Sequence, residues 1–315
     1  MKKNTITLAE SQLRDAIQKT VCEYINNNIQ ENYMNTNNYV VSPMNYLGGK
    51  KKLLAQILPL FPKNINTFVD LFCGGATVGI NVNCNKVIFN DINSQLISLY
   101  SSFKEEDLDK ILSHIENRIG EFNLNKTNQD GYLALRNLYN SNPQSLDMFT
   151  LLAYSFNNQI RFNNKGQFNM PFGKNRSEFN PKMKEHLIDF TNALKNKNTE
   201  FTNYTFADFP IDQLGPNDFV YCDPPYLMSF ATYNMIWNEN EERKLLAFLN
   251  ELNRRGIKFA LSNVLENKNQ TNMILINWIK ENNFNVYHLN NNYSNCNYHR
   301  KEKESFSDEV LITNY

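Results

Sequence analysis

Short apolar runs that alternate with helix-like segments, several of them ending on glycine or an acid, constrain this fold more than any other feature of the chain. INTFVDLFCGG (65–75) leads into a helix-like stretch from Thr77, and KVIFND (86–91) is a second run, closing on Asp91. FVYCDPPY (219–226), GIKFALSN (256–263), FNVYHLN (284–290) and DEVLITNY (308–315) supply four more, with a helical segment over 239–254 between the first two of these. Strands alternating with helices predict a mostly parallel sheet covered on both faces. Between residues 99 and 200 the alternation stops. Helical segments over 131–139 and 146–157 precede RFNNKGQFNMPFGKN, whose aromatics flank a polar turn at Asn164, Lys165 and Gly166 and predict a hairpin. The expected organisation is a sheet-bearing domain over 39–100 and 200–315 with an insert over 101–199. Ahead of it, Thr7 and Glu10 form a capping-box pair and apolar residues recur at helical spacing, so 1–38 reads as a helical extension and linker.

At 315 residues the chain has room for one large domain or a core domain with a substantial insertion. Its 41% hydrophobic content suits a soluble globular protein, and no run reaches the ~18 to 20 apolar residues of a membrane span. MKKNTITLAESQL lacks the apolar centre of a secretory signal. Five cysteines (Cys22, Cys73, Cys84, Cys222, Cys296) form an odd set without CxxC pairs, pointing to reduced cytoplasmic thiols and away from disulfides or zinc. Lys plus Arg and Asp plus Glu number 32 each, so net charge is silent about nucleic acid. Distribution says more. Basic residues gather at 50–52, at Lys174, Arg176, Lys182 and Lys184, and at His299, Arg300, Lys301 and Lys303; such clusters can hold a polyanion where they converge.

FVDLFCGGATVG (68–79) reads as strand, glycine turn and helix, which lets a ligand approach the backbone at the end of a parallel strand. Asp91 stands where a carboxylate accepts hydrogen bonds from the two hydroxyls of a ribose, favouring a nucleoside-type ligand. Capping of a helix begun by INSQLISLY is the other reading of Asp91. In FVYCDPPY, Pro224 and Pro225 stiffen the backbone that carries an acid. A planar amine is a poor nucleophile towards an electrophilic methyl group, because its lone pair is delocalised into the ring. The Asp223 carboxylate and the Pro224 carbonyl would accept both amino hydrogens and stabilise the charge developing on nitrogen. Tyr226 would stack on the ring of an extruded base. Cys222 reads as a buried strand residue, since direct transfer needs no covalent intermediate.

NYLGGK (45–50), FVDLFCGGATVG (68–79), VIFNDIN (87–93), RFNNKGQFNMPFG (161–173), TFADF (205–209) and VYCDPPY (220–226), in this order, resemble the Dam-like (D12 class, alpha-group) family of site-specific DNA adenine-N6 methyltransferases. The resemblance runs from about residue 39 to 315. It implies an α/β fold, a Rossmann-like methyltransferase sheet with a helical plus β-hairpin target-recognition insert. It also implies S-adenosylmethionine as methyl donor, S-adenosylhomocysteine as product, and no metal. Carried onto matching positions, Tyr46 and Lys50 would contact the donor, Asp91 its ribose, and Asp223 would lie beside the sulfonium and the target amine. Phe72, Gly74 and Phe206 would line the same pocket. Many members carry tryptophan where Tyr46 stands, so an aromatic is kept.

The resemblance further implies that the hairpin and the helix end before it enter the major groove of double-stranded DNA. Phe156, Asn157, Gln159, Arg161, Asn163, Asn169 and Pro171 occupy the matching positions. Arg161 would read guanine, an asparagine adenine, and Pro171 a thymine methyl. Gln159 stands where GATC-methylating members often have an apolar residue. Phe156 and Phe162 are expected in the core. NYSNCNYHRKEKESFSDEVLITNY resembles the family's basic loop and last strand, with His299, Arg300 and Lys301 as phosphate contacts. The expectation is methylation of a flipped adenine at GATC or another GAT-containing site. The enzyme would be a cytoplasmic monomer, bacterial or phage-encoded, serving a restriction–modification system beside a cognate endonuclease. The alternatives are an RNA or N4-cytosine amino-methyltransferase, or a catalytically silent DNA-binding relative.

Overall fold

The computed structural model describes residues 39–228, 237–268, 270–290 and 307–315. The expected N-terminal helix and linker, and the loop carrying His299, Arg300 and Lys301, lie outside these residues. Eight strands form one sheet: β1 (Thr67–Asp70), β2 (Lys86–Asn90), β3 (Thr199–Thr202), β4 (Phe219–Cys222), β5 (Lys258–Asn267), β6 (Gln270–Thr271), β7 (Asn285–Leu289) and β8 (Ser307–Thr313). Their order is β3-β2-β1-β4-β5-β8-β7, with β6 paired to β5. The strands from β3 to β5 along this order pair in parallel, while β8 runs antiparallel to both its neighbours. This is the mostly parallel α/β sheet that the alternating runs predict. Two strands escaped that reading. β3, TEFT, is a partly exposed edge strand without an apolar run, and β6 is a two-residue pairing of exposed side chains.

Side chains alternate across the sheet. Phe68, Phe219 and Tyr221 point into one apolar layer, which they share with Leu54 and Ile57 of α1 (Leu54–Ile57) and with helices described below. Val69, Val220 and Cys222 point into the other, against Leu245, Leu249 and Leu252 of the helix Glu239–Arg254 and Trp278 of the helix Met273–Asn282. Cys222 is fully buried there, as expected of a strand residue. The helix over Glu239–Arg254 forms because Asn238 caps it, accepting from the Asn240 and Glu241 N–H groups, and because leucines recur on one face.

A helix of five residues, α2 (Thr77–Asn81), follows the glycine turn, and the crossover from β2 to β3 carries α3 (Ser94–Glu105), α4 (Leu108–Glu121), α5 (Gln129–Ser141), α6 (Ser145–Tyr154) and α7 (Pro181–Asn196). The segment expected to be helical over 146–157 ends at Tyr154, where Ser155 turns extended (φ −75°, ψ 161°), and Asn157 and Asn158 beyond it take left-handed backbone angles (φ 57° and 51°). Ile111, Ile115, Tyr132, Leu135, Phe149 and Phe190 from these helices join the same buried layer as Phe68 and Phe219. Each fully buried phenylalanine contributes ~1.5–3 kcal/mol, so the crossover is anchored to the sheet by its own apolar face. Between α6 and α7 the hairpin closes with the Asn163 N–H on the Gln167 carbonyl (2.9 Å) and the Asn169 N–H on the Arg161 carbonyl (3.0 Å). Gly166 takes φ +72° at its tip. Glu239–Arg254 and Met273–Asn282 are α8 and α9.

Candidate active site

The chain winds outward from β1 to β3 on one side and from β4 to β5 on the other, which leaves a crevice at the C-terminal ends of β1 and β4. Parallel sheets bind ligands at such a switch point. Three carboxylates converge there: Asp70 ends β1, Asp91 follows β2 and Asp223 follows β4.

The glycine turn is built by close packing. Gly74 takes φ +44°, and a Cβ on it would lie 2.7 Å from Cε1 of Tyr46, so the Tyr46 ring rests directly against this glycine. The Tyr100 hydroxyl donates to the Gly74 carbonyl and pins the turn from beneath. Ala76 sits in the left-handed region (φ 55°), which costs an alanine about 1–2 kcal/mol. Such strain persists where surrounding structure over-determines it. Asp91 is buried, its Oδ2 accepting the Gly74 N–H and its Oδ1 the Asn93 N–H, both at 2.9 Å. Burial raises its pKa, and these two donors oppose the rise. Asp91 is not the cap of α3. Asn93 is, accepting from the Leu96 N–H. Each Asp91 oxygen keeps acceptor capacity for a further donor. Ile92, beside it, is 72% exposed.

At the β4 end the side chains form one cluster. Gly48, at φ +78°, turns the chain so that Lys50 folds inward while Lys51 and Lys52 stay exposed. Lys50 Nζ lies 2.8 Å from Asp223 Oδ1 and 3.6 Å from Glu309 Oε1, and donates to the Gly48 carbonyl at 2.8 Å. The Tyr226 hydroxyl lies within donating distance of the same two carboxylate oxygens, 2.9 Å from Asp223 and 3.1 Å from Glu309. The Lys50 ammonium stands 5.1 Å from the centre of the Tyr226 ring. Burial raises the Asp223 pKa, Lys50 pulls it down, and Glu309 pushes it up again. Asp70 is pushed up to about 7 by burial, opposed by the Gly79 N–H on its Oδ2 (3.0 Å) and reinforced by Asp223 and Asp91. Phe72 and Phe206 meet at 5.8 Å between ring centres. Trp237 lies 5.9 and 5.7 Å from them, its indole N–H held by Glu242 Oε2 at 2.8 Å.

Sequence reasoning missed Glu309, Trp237, Asp70 and Ile92. Glu309 carried a faint signal, since it shares the inward face of β8 with Leu311 by strand alternation. Among the described residues, no group of three or more His, Cys, Asp or Glu is placed to hold a metal ion.

The crossover from β2 to β3 lies against this region. Asn45, in NYLGGK, donates from Nδ2 to the Asn157 carbonyl at 2.9 Å. Arg161 and Asn169 face each other across the hairpin, with Nε on Asn169 Oδ1 (2.9 Å) and Nη2 on the Asn169 carbonyl (2.8 Å). The Asn163 side chain serves the turn, accepting the Lys165 and Gln167 N–H groups. Pro171 is exposed, and its carbonyl accepts the Phe156 N–H at 2.8 Å. Phe162 is half-buried against Phe168, in keeping with the core expectation. Phe156 departs from it. The left-handed asparagines after it turn the chain, leaving the ring 40% exposed with the Arg176 guanidinium 5.0 Å over its face. Two of the basic clusters do converge: Lys51, Lys182 and His186 line a cleft of about 380 Å³ that also includes Tyr46. Burial lowers the His186 pKa, and Lys51 and Lys182 lower it further.

Sheet order, glycine turn and the acid-Pro-Pro-Tyr stretch place this chain among Rossmann-like methyltransferase folds. More narrowly, residues 46–304 match the D12 class N6 adenine-specific DNA methyltransferase family, and the chain belongs to that family. It is 47% identical over 296 residues to the Type II methyltransferase M.FokI of Planomicrobium okeanokoites, an overlap of 92% of this chain and 45% of that relative. To the modification methylase StsI of Streptococcus sanguinis it is 49% identical over 286 residues, covering 89% of this chain and 44% of the relative. To a DNA adenine methylase of Salmonella typhi it is 33% identical over 196 residues, 61% of this chain and 66% of the relative. The chain thus spans less than half the length of the first two relatives.

Proposed function

We propose that this chain transfers a methyl group from S-adenosylmethionine to N6 of an adenine flipped out of double-stranded DNA. The observation that carries this reading is the cluster of Asp223, Lys50, Tyr226 and Glu309 at the switch-point crevice, across from a glycine turn and Asp91. The crevice residues fit the donor. Asp91 keeps acceptor capacity for two ribose hydroxyls, the turn at Gly74 seats the Tyr46 ring beside it, and Ile92, Phe72 and Phe206 offer apolar surface for a purine. When bound, the donor supplies a methyl group on positively charged sulfur. The Asp223 and Asp91 carboxyl groups favour such a cation. Tyr46 would pack on it from the Gly74 side.

Lys50 and Tyr226 both engage Asp223 Oδ1, which leaves Oδ2 for one hydrogen of the amine. The Pro224 carbonyl takes the other. Two fixed acceptors align the nitrogen lone pair and stabilise positive charge as it develops. With its hydroxyl tied down, Tyr226 presents the ring face away from Lys50 for stacking on the extruded adenine.

Arg161, braced by Asn169 through Nε and Nη2, keeps its Nη1 end for guanine in the major groove. Asn157, Gln159, Asn169 and Pro171 read neighbouring bases of a GAT-containing site. Exposed Phe156 suits a wedge beside the vacated base position. His299, Arg300 and Lys301, with Lys51 and Lys182, contact phosphates. The relatives' names, modification methylase and Type II methyltransferase, support a restriction–modification role beside a cognate endonuclease, and a cytoplasmic monomer suits it. Incubating the protein with unmethylated DNA and tritiated S-adenosylmethionine, then digesting to nucleosides, tests the reading. Label in N6-methyldeoxyadenosine is expected; label in N4-methyldeoxycytidine, or in RNA alone, would contradict it.

A further inference from the structure

Glu309 lies outside residues 46–304, the span that matches the family, yet it sits at the centre of the cluster. It is 1% exposed on β8, with the Tyr226 hydroxyl at 3.1 Å and Lys50 Nζ at 3.6 Å. Two carboxylates, Asp223 and Glu309, therefore share one ammonium and one phenol. A carboxylate buried beside another carboxylate is a poor device for stability, because an apolar side chain would fill the place without desolvating a charge. It is a good device for setting the charge on its neighbour.

We propose that Glu309 is a positioning residue for methyl transfer: by holding part of the Lys50 charge and sharing the Tyr226 hydroxyl, it keeps Asp223 a strong acceptor for the target amine. The inference rests on the methyltransferase reading above. In the transfer, the amine lone pair forms the N–C bond and the C–S electron pair returns to sulfur. The surplus N–H proton passes to Asp223 and from there to solvent. An acceptor drained by an undivided Lys50 charge polarises that N–H less. Asp223 is faced by Lys50 from the turn before α1, Tyr226 beyond β4, Tyr221 and Cys222 within β4, Asp70 at the end of β1 and Glu309 on β8. Among the described carboxyl groups around Asp223, Glu309 is the one that lies near both of its donors. Its push on the Asp223 pKa is upward, so its neutralisation moves Asp223 downward.

The test compares wild type, Glu309→Gln and Glu309→Asp in the full chain, measuring kcat against pH with saturating DNA and donor, and S-adenosylhomocysteine affinity by calorimetry. For Glu309→Gln, kcat is expected to fall roughly tenfold, the scale of one charge-assisted hydrogen bond. The acid limb of its profile should move to lower pH by about half a unit or more while the product Kd changes less than about threefold. Glu309→Asp should show a smaller displacement in the same direction, and it carries the test should the glutamine variant fail to fold. An unmoved acid limb, or a loss that follows Kd and Tm instead of kcat, overturns the inference. A wild-type chain that leaves DNA adenine unmethylated overturns the underlying reading instead.

Discussion

Gly74 packs closely against the Tyr46 ring at the crevice, and the contact supports a prediction that separates contact from backbone strain. An added Cβ would lie 2.7 Å from Tyr46 Cε1 and 3.0 Å from Cδ1. Carbon pairs prefer about 3.5–4.0 Å, so the ring must retreat by roughly 1 Å. Overpacking of this kind costs about 1–3 kcal/mol. The φ of +44° adds about 1–2 kcal/mol for alanine, and about 0.4–1 kcal/mol returns from the less flexible unfolded chain. Gly74→Ala should therefore lose about 2–4 kcal/mol, read from urea midpoints. S-adenosylhomocysteine binding should weaken about tenfold, because the displaced ring enters the space proposed for the donor. In a Tyr46→Ala background the contact is gone and only the backbone cost remains. Gly74→Ala should then cost about 1 kcal/mol, giving a coupling of about 1–3 kcal/mol in the double-mutant cycle. An equal cost in both backgrounds would refute the reasoning.

Asp70 has a folded pKa of about 7 against an ordinary 3.8, so between those values the unfolded chain has lost a proton that the folded chain keeps. Stability must then fall as pH rises across that window, by up to about 4 kcal/mol, and Asp70→Asn should remove this component of the pH slope in urea unfolding at pH 5 and 8. An unchanged slope counts against it. Arg161→Ala should lose about 1–3 kcal/mol of discrimination at one guanine, seen in competition with base-substituted duplexes. A loss spread evenly over all sequences would make Arg161 a phosphate contact instead. Phe156→Ala should leave stability within about 0.5 kcal/mol, since the ring is exposed, yet weaken base extrusion by about 1–3 kcal/mol. The readout is fluorescence of 2-aminopurine at the target position, and an unaltered signal would remove Phe156 from the flipping step.

What was legible before the structure follows from which contacts are local. β1, β2, β4 and β5 are buried on both faces and read as apolar runs, while TEFT of β3 lies at the sheet edge and offers no such run. Asp91 and Asp223 were visible because each closes a run, and closing a parallel strand puts a side chain at the crevice. Glu309 was not, because an acid ahead of VLIT looks like a solvated strand end. Its burial depends on β8 lying between β5 and β7, a pairing of distant segments. Trp237 is hidden for a similar reason: its partners Phe72 and Phe206 come from two other parts of the chain. Phe156 was misread because it lies just beyond the apolar helix α6, after Ser155. Two left-handed asparagines decide its direction, and asparagine identity alone does not announce that conformation.

The proposed methyl transfer depends on Asp223 as acceptor for the amine of an extruded adenine. Single-turnover transfer of labelled methyl from S-adenosylmethionine to unmethylated duplex DNA by Asp223→Ala measures it directly, alongside thermal unfolding and S-adenosylhomocysteine titration. A folded variant that still binds the product, with transfer slowed roughly 100- to 1,000-fold, is the predicted result. Transfer to adenine at the wild-type rate would contradict it.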